Sequence, residues 1–329
     1  MADKVRIGFI GAGGIARAHM KWLADIPEAQ VVALSEPNPE AIAQMVAAYP
    51  ETCQLPVFAD YRQMLAKVEL DAVEIHTPHM LHHQQGVDVL AAGKHLLMEK
   101  PFACSVRHAQ QLIEAGRGKV LMVSYQRHFQ GSYLYVRDQI QKGALGSIQF
   151  VAALQSQGWK RGTAGSWRQA KALSGGGQIN DSGSHLIDIL LWTTGLAAES
   201  VHAYMQNYDC EVDIDSALSM RFTNGAQGTI SIVGDSPVWW EEFSVWGSAG
   251  VLLYRNGKIL QRAFGASEMT EVTDLPGSST PDRNFVDAIL GRDVVRVPPE
   301  CGLRVIELTE AAWRSAELGR AVRVEELGA

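Results

Sequence analysis

The chain of 329 residues carries only four cysteines, Cys53, Cys104, Cys210 and Cys301, and no two of them form a Cys-x-x-Cys pair. Four scattered thiols supply neither a disulfide framework nor a zinc-ribbon ligand set, and they fit a reducing compartment. Long apolar runs are also missing. None approaches the ~20 residues needed to span a bilayer, and glycines interrupt the apolar stretch Val5–Ile10 soon after it begins. No signal-peptide core or cleavage site is visible, so the expectation is a cytoplasmic protein with no membrane partner. Positive charge is scarce: 29 Lys and Arg stand against 36 Asp and Glu, for a formal net charge of −7. That balance argues against nucleic acid or an anionic membrane as the main partner. Internal repeats and low-complexity tracts are absent.

What is present is an ordinary globular composition, 47% hydrophobic and 20% charged with 31 glycines, in a chain long enough for two cores. From Val5 to Ser124, short apolar runs alternate with amphipathic stretches: "VRIGFI", "AQVVALSE", "PVFAD", "DAVEIHTP", "HLLMEKP" and "KVLMVSY" are each separated by about one helix. Nearly continuous apolar strands with helices between them predict an α/β domain, a doubly wound parallel sheet covered on both faces, over residues 1–125. Beyond residues 125–131 the pattern changes. A helix, a long strand near 147–157, and runs punctuated by "TNGAQG", "SAG" and "RNGK" predict an α+β domain over 126–329 with a large open, mainly antiparallel sheet.

"IGFIGAGGIARAH" places Gly11, Gly13 and Ala16 in a G-x-G-x-x-A pattern between the first strand and a helix. Gly11 permits the tight turn and Gly13 lets the backbone approach a pyrophosphate. Gly14 and Ile15 open the helix whose unpaired N–H groups point at the anion. Glu36 ends the second strand about 20 residues on, where an acid accepts hydrogen bonds from the adenosine ribose and repels a 2′-phosphate. No Arg or Lys follows in "SEPNPEA", so NAD is expected rather than NADP.

Lys100 follows the fifth strand in "HLLMEKPF", at the edge of the sheet where open α/β folds bind ligands. Pro101 restricts Lys100 to extended geometry, and a lysine there can polarise a substrate hydroxyl. Thr77 and Pro78 end the fourth strand on the same edge and should line the nicotinamide side. Further on, "GGGQINDSGSHLIDILLW" places Asp181, His185 and Asp188 at i, i+4 and i+7. On a helix these would share one face, flanked by apolar residues that make their burial expensive. A metal site, a proton relay and a satisfied structural cluster are all open at this point. The loop before it holds Trp159, Lys160, Arg161, Trp167 and Arg168, a set suited equally to sugar recognition and to packing. Trp239 and Trp240 precede a strand and are expected to pack.

The pieces "GAGGIARAH", "TPHMLHHQQGVDVLAAGKHLLMEKP", "YQRHF", "SWRQAKALSGGGQINDSGSHLID" and "FVDAIL…GLRVIELTEAAWRSAELGRAV" run nearly end to end. Together they resemble the glucose–fructose oxidoreductase/inositol dehydrogenase (Gfo/Idh/MocA) family. The resemblance implies a nicotinamide-dependent dehydrogenase of sugars, cyclitols or related polyols, and a homodimer or homotetramer formed through the open sheet. Carried over by position, it makes Lys100, Asp181 and His185 catalytic. Gly11, Gly13, Gly14, Ile15, Glu36, Thr77, Pro78, His82, Glu99 and Lys100 are thus expected at the cofactor, and Arg127, His128, Trp167, Arg168 and Asp188, the last by the resemblance, at the substrate. His79 stands where Asn is commoner, and His128 where a second Arg often stands. The expected chemistry makes His185, whose ordinary pKa is near 6.5, the base for the hydroxyl proton. Lys100 hydrogen-bonds the same oxygen and Asp181 orients the imidazole or binds substrate. No metal is expected, because no fourth ligand is nominated and the redox chemistry needs none. The rival reading keeps these residues but uses a tightly bound NAD for transient oxidation, in elimination, glycoside hydrolysis or epimerisation.

Overall fold

A computed structural model of the chain describes residues 4–328. It separates into two compact units. The first holds residues up to Ala103, His108–Gln126 and Ser279–Glu300; the second holds Cys104–Arg107, Arg127–Ser278 and residues from Cys301 on. The contiguous second domain expected over 126–329 is therefore interrupted. The helix in 279–300 packs with the first unit, through non-local contacts that no local pattern announces.

In the first unit the elements run β1 (Val5–Ile10), α1 (Gly14–Ala24), β2 (Ala29–Ser35), α2 (Pro39–Ala48), β3 (Val57–Phe58), α3 (Tyr61–Lys67), β4 (Ala72–Ile75), α4 (His82–Ala91), β5 (His95–Met98), α5 (Val106–Ala115) and β6 (Leu121–Val123). All six strands are parallel, in the order β3-β2-β1-β4-β5-β6. The order reverses between β1 and β4, the switch point at which such sheets bind dinucleotides. Local chemistry starts the helices. Asn38 Oδ1 accepts from Glu40 N at 3.0 Å ahead of Pro39 at the head of α2, and Asp60 Oδ1 accepts from Arg62 N at 2.9 Å for α3. Residues of β1, β4 and β5 are buried on both faces, as a doubly covered sheet requires.

The second unit runs α6 (Gly131–Gln141), β7 (Ile148–Ser156), α7 (Trp159–Gly162), α8 (Lys171–Ser174), α9 (Gly183–Thr194), β8 (Ala198–Gln206), β9 (Asp215–Phe222), β10 (Gln227–Val233), β11 (Trp240–Gly247), β12 (Gly250–Arg255), β13 (Lys258–Ala263) and β14 (Thr270–Val272). The helix α10 (Pro281–Ile289) belongs to the first unit, and α11 (Pro299–Leu318) and β15 (Val322–Arg323) complete the chain. Its nine strands are ordered β14-β13-β12-β11-β7-β10-β9-β8-β15. Every pairing is antiparallel except β7 with β10. Period-two alternation sets one apolar face: Ser216, Leu218, Met220 and Phe222 of β9 are buried while Ala217, Ser219 and Arg221 are exposed. The nearly all-buried α9 packs against β7 and α6, and Ser315 of α11 accepts from Ala203 N of β8 at 3.0 Å. The opposite face displays Tyr204, Trp246 and Phe264. Trp239 and Trp240, expected to pack, are also exposed. Among the described residues no helix is long and apolar enough to cross a membrane.

Candidate active site

The turn after β1 is built for an anion. Gly11 has φ of +95°, its N–H donates to Ser35 O at 2.8 Å, and a Cβ there would lie 2.9 Å from the His76 carbonyl carbon. Only glycine fits. Gly13 is the N-cap of α1 with no side chain capping it, and a Cβ at Gly13 would meet no atom within 4 Å. No side chain caps the first-turn N–H groups, those of Gly14 and Ile15 among them, and no acid in that turn competes for them. Ala16 is fully buried, which brings α1 close to the sheet. Glu36 is fixed to the same turn: Oε2 accepts from Ala12 N at 2.9 Å and Oε1 from Asn38 N at 3.0 Å. This cradle fits a dinucleotide pyrophosphate, with a carboxylate held beside it.

At the ends of β4 and β5, His82 acts as a clasp. Its ring is fully buried, with Nδ1 2.8 Å from Pro101 O and Nε2 2.9 Å from Thr77 O. Both ring nitrogens face backbone carbonyls, and burial pushes the pKa down, so the neutral ring donates to one of the two; His82, expected among the cofactor contacts, sits between the two strand ends. Thr77 donates to Gln85 Oε1 at 2.6 Å, and Thr77 and Pro78 are half-buried. Glu99 also turns inward: Oε1 lies 3.1 Å from His19 Nε2, and Oε2 accepts from Lys100 N at 3.2 Å. Burial opposes its ionisation, but His19, Lys100 and Ser124 outweigh that and hold its pKa at about 2. Lys100 is half-buried and enters a cis peptide bond with Pro101.

In the second unit, Asp181 is not on the helix. α9 begins at Gly183, and Asp181 lies in the turn before it, where its N–H donates to Gly177 O at 3.0 Å. Of the three residues expected on one helical face, Asp181 precedes the helix, while His185 and Asp188 lie on it. Asp181 Oδ2 instead accepts from Trp159 Nε1 and from Arg168 Nε, each at 2.9 Å. Trp159 is buried against Val212 and Ile214, so one indole both packs and binds the acid. The guanidinium of Arg168 stacks on Trp167, 4.5 Å from the ring centroid, and both side chains are half-exposed. His185, in the first turn of α9, is half-buried. Trp167, Arg168 and His185 thus keep access to solvent, and the buried Asp181 carboxylate sits on Arg168.

The turn is held by a residue the sequence did not single out. Asp213 accepts from Gly177 N at 2.9 Å, Ile179 N at 3.0 Å and Trp313 Nε1 at 3.0 Å. Burial raises its pKa, and these three donors work against that rise. A Cβ on Gly177 would lie 1.8 Å from Asp213 O, and one on Gly176 would lie 2.1 Å from the Trp313 ring. The glycines ahead of α9 let the chain pass its own scaffold.

Three residues expected to bind substrate lie inside the unit. Asp188 Oδ2 is 2.7 Å from His128 Nε2, both side chains are buried, and the His128 ring stacks on Trp192 at 4.0 Å. Arg127 grips Glu241 with both terminal nitrogens at 2.7 Å. Tyr133 OH at 2.9 Å and Gln155 Nε2 at 2.9 Å complete the Glu241 carboxylate. Strand parity carried a signal for Glu241, which shares its face of β11 with the buried Phe243 and Val245. Two groups of close ligand-type atoms occur among the described residues, His19–Glu74–His76 and His128–Asp188–Cys301. Neither includes Asp181 or His185.

A switch-point cradle with an uncapped helix start and a strand-end acid defines a dinucleotide-binding unit. Comparison with known proteins then fixes the lineage. The family described as "Oxidoreductase family, NAD-binding Rossmann fold" (GFO_IDH_MocA) matches residues 5–126, and the "GFO/IDH/MocA C-terminal domain" matches residues 133–253. The chain belongs to the Gfo/Idh/MocA family and is an NAD-binding oxidoreductase. It is 24% identical to D-glucoside 3-dehydrogenase of Escherichia coli, over 98% of each chain. It is also 24% identical to levoglucosan dehydrogenase of Pseudarthrobacter phenanthrenivorans, over 81% of this chain and 78% of that one. Among solved structures it is similar to the WlbA dehydrogenase of Bordetella pertussis in complex with NADH and UDP-GlcNAcA, with a TM-score of 0.85, 25% identity and 98% of each chain covered.

Proposed function

We propose that this oxidoreductase oxidises a secondary alcohol of a sugar, cyclitol or sugar-derived polyol. The observation that carries the reading is the placement of Asp181. Its carboxylate is fixed by an indole and a half-exposed guanidinium immediately ahead of the helix turn that presents His185. Fixed acids, a basic fork and an aromatic ring suit a polyhydroxylated ligand. Both relatives quoted are named for dehydrogenation of sugar derivatives, D-glucoside and levoglucosan. When bound, NAD supplies the hydride acceptor. His185 takes the hydroxyl proton as the C–H electron pair leaves, and Lys100 hydrogen-bonds the same oxygen, offsetting its developing negative charge. Asp181 binds a neighbouring hydroxyl or orients the imidazole. Glu36 accepts from the adenosine ribose and disfavours NADP. The exposed sheet face with Tyr204, Trp246 and Phe264 serves as the contact between copies.

The test is an NAD reduction screen over glucosides, anhydrosugars, cyclitols, aldoses and sugar acids. NADH accumulating in step with a ketone product supports the reading. Product without NADH replaces it with transient oxidation by a retained cofactor.

A further inference from the structure

Apart from the groups this chemistry uses, the first unit buries a second ionisable cluster. His19, on α1, is fully buried. Its Nδ1 lies 2.9 Å from Asp282 Oδ1 of α10 and 3.2 Å from Glu74 Oε2 of β4, and its Nε2 lies 3.1 Å from Glu99 Oε1 beyond β5. Ser124, after β6, places Oγ 3.4 Å from the same Nε2. His76 Nε2 lies 3.4 Å from Glu74 Oε2, and the Trp22 ring meets the His19 imidazole edge-on at 4.9 Å. Three carboxylates and two imidazoles thus share a buried interior. An ionised carboxylate only accepts hydrogen bonds, so a ring nitrogen facing one must carry a proton. Both nitrogens of His19 face carboxylates.

We propose that His19 is a doubly protonated imidazolium that holds these acids together and acts as the positioning residue for Lys100, a role that rests on the dehydrogenase reading. Glu99 makes the link: one oxygen is on His19 and the other accepts from the backbone N–H of Lys100. His19 belongs to the helix whose first turn forms the pyrophosphate cradle. A single ring therefore ties the cofactor helix to the strand end that carries Lys100.

The surrounding charges agree. Burial works against a charged His19, but Asp282, Glu74 and Glu99 outweigh it and raise its pKa well above 6.5. Burial and the His19 charge push His76 down, toward the neutral form. Burial, with Glu74 adding to it, pushes Asp282 up to about 6 despite His19. A divalent cation shared by His19 Nδ1, Glu74 and His76 is the competing occupant, and it would require Nδ1 without its proton.

Histidine side-chain nitrogen NMR on the full chain loaded with NADH decides the protonation state. Both His19 nitrogens should retain protons at neutral pH and above the ordinary imidazole value near 6.5, and Asp282→Asn should lower the pH at which the ring titrates. A bare Nδ1 at neutral pH, or a stoichiometric zinc or manganese found by elemental analysis, overturns the proposal. So does an Asp282→Asn titration that matches wild type. With an accepted sugar, His19→Gln should lower kcat about 10- to 100-fold while shifting the KM for NAD less than about 3-fold. An unchanged kcat overturns the positioning role. The NMR arm needs no substrate, so it separates failure of this proposal from failure of the dehydrogenase reading.

Discussion

Replacing Asp213 with alanine tests whether the turn carrying Asp181 is held as described. The carboxylate satisfies three donors, Gly177 N, Ile179 N and Trp313 Nε1, and the two backbone groups sit at a buried turn. A buried donor left without an acceptor costs about 1–3 kcal/mol. Removing the acid also relieves the penalty of burying it, the same penalty that raises its pKa. The balance is a loss of about 2–4 kcal/mol, a large share of the ~5–15 kcal/mol that stabilises a typical domain. The assay is urea unfolding of wild type and Asp213→Ala, followed by tryptophan fluorescence and by far-UV circular dichroism. The expected result is a lower midpoint with a similar slope, and NADH affinity unchanged, because the cradle belongs to the other unit. Asp213→Asn, which keeps an acceptor oxygen, should fall between the two. A loss under about 1 kcal/mol for Asp213→Ala would refute the reasoning, since orphaned buried donors cannot be that cheap.

Three other variants probe separate parts of the account. Arg127→Ala strands the buried Glu241 carboxylate and should destabilise the chain by about 3–5 kcal/mol, measured as a urea midpoint shift. Glu36→Ala should weaken NAD binding by about tenfold and narrow the preference over NADP, as read by fluorescence titration. The stability that His19 contributes is fully present below its unfolded pKa near 6.5 and is lost as pH rises through its raised folded value. The stability gap between wild type and His19→Gln should therefore shrink at alkaline pH, in urea melts run across that range.

The first unit was legible because its signals are local. The glycine at φ +95°, the uncapped helix start and the Pro39 and Asn38 start of α2 each depend on a few neighbouring residues. The strands of the second unit were readable from runs punctuated by Gly and Asn turns, although the parallel pairing of β7 with β10 was not, because pairing partners are distant in sequence. Asp181 was misplaced for a specific reason. The i, i+4, i+7 spacing extends one turn ahead of the helix, where Gly183 N donates to Gln178 O five residues back, although Ser182 already has helical φ and ψ. Asp213 offered no clue, being a single acid between Val212 and Ile214 with its donors 34, 36 and 100 residues away. The His19 cluster did leave a trace: Glu74 is a charged residue inside a strand covered on both faces, and it demands a buried counter-charge.

The central claim is that Lys100 and His185 handle the proton of an oxidised hydroxyl. The most direct measurement compares wild type with Lys100→Met and His185→Ala on the first sugar found to reduce NAD, following NADH formation and NADH binding in parallel. The account predicts turnover reduced by about two orders of magnitude or more in each variant, with NADH affinity retained. Near-normal turnover in either variant would contradict it.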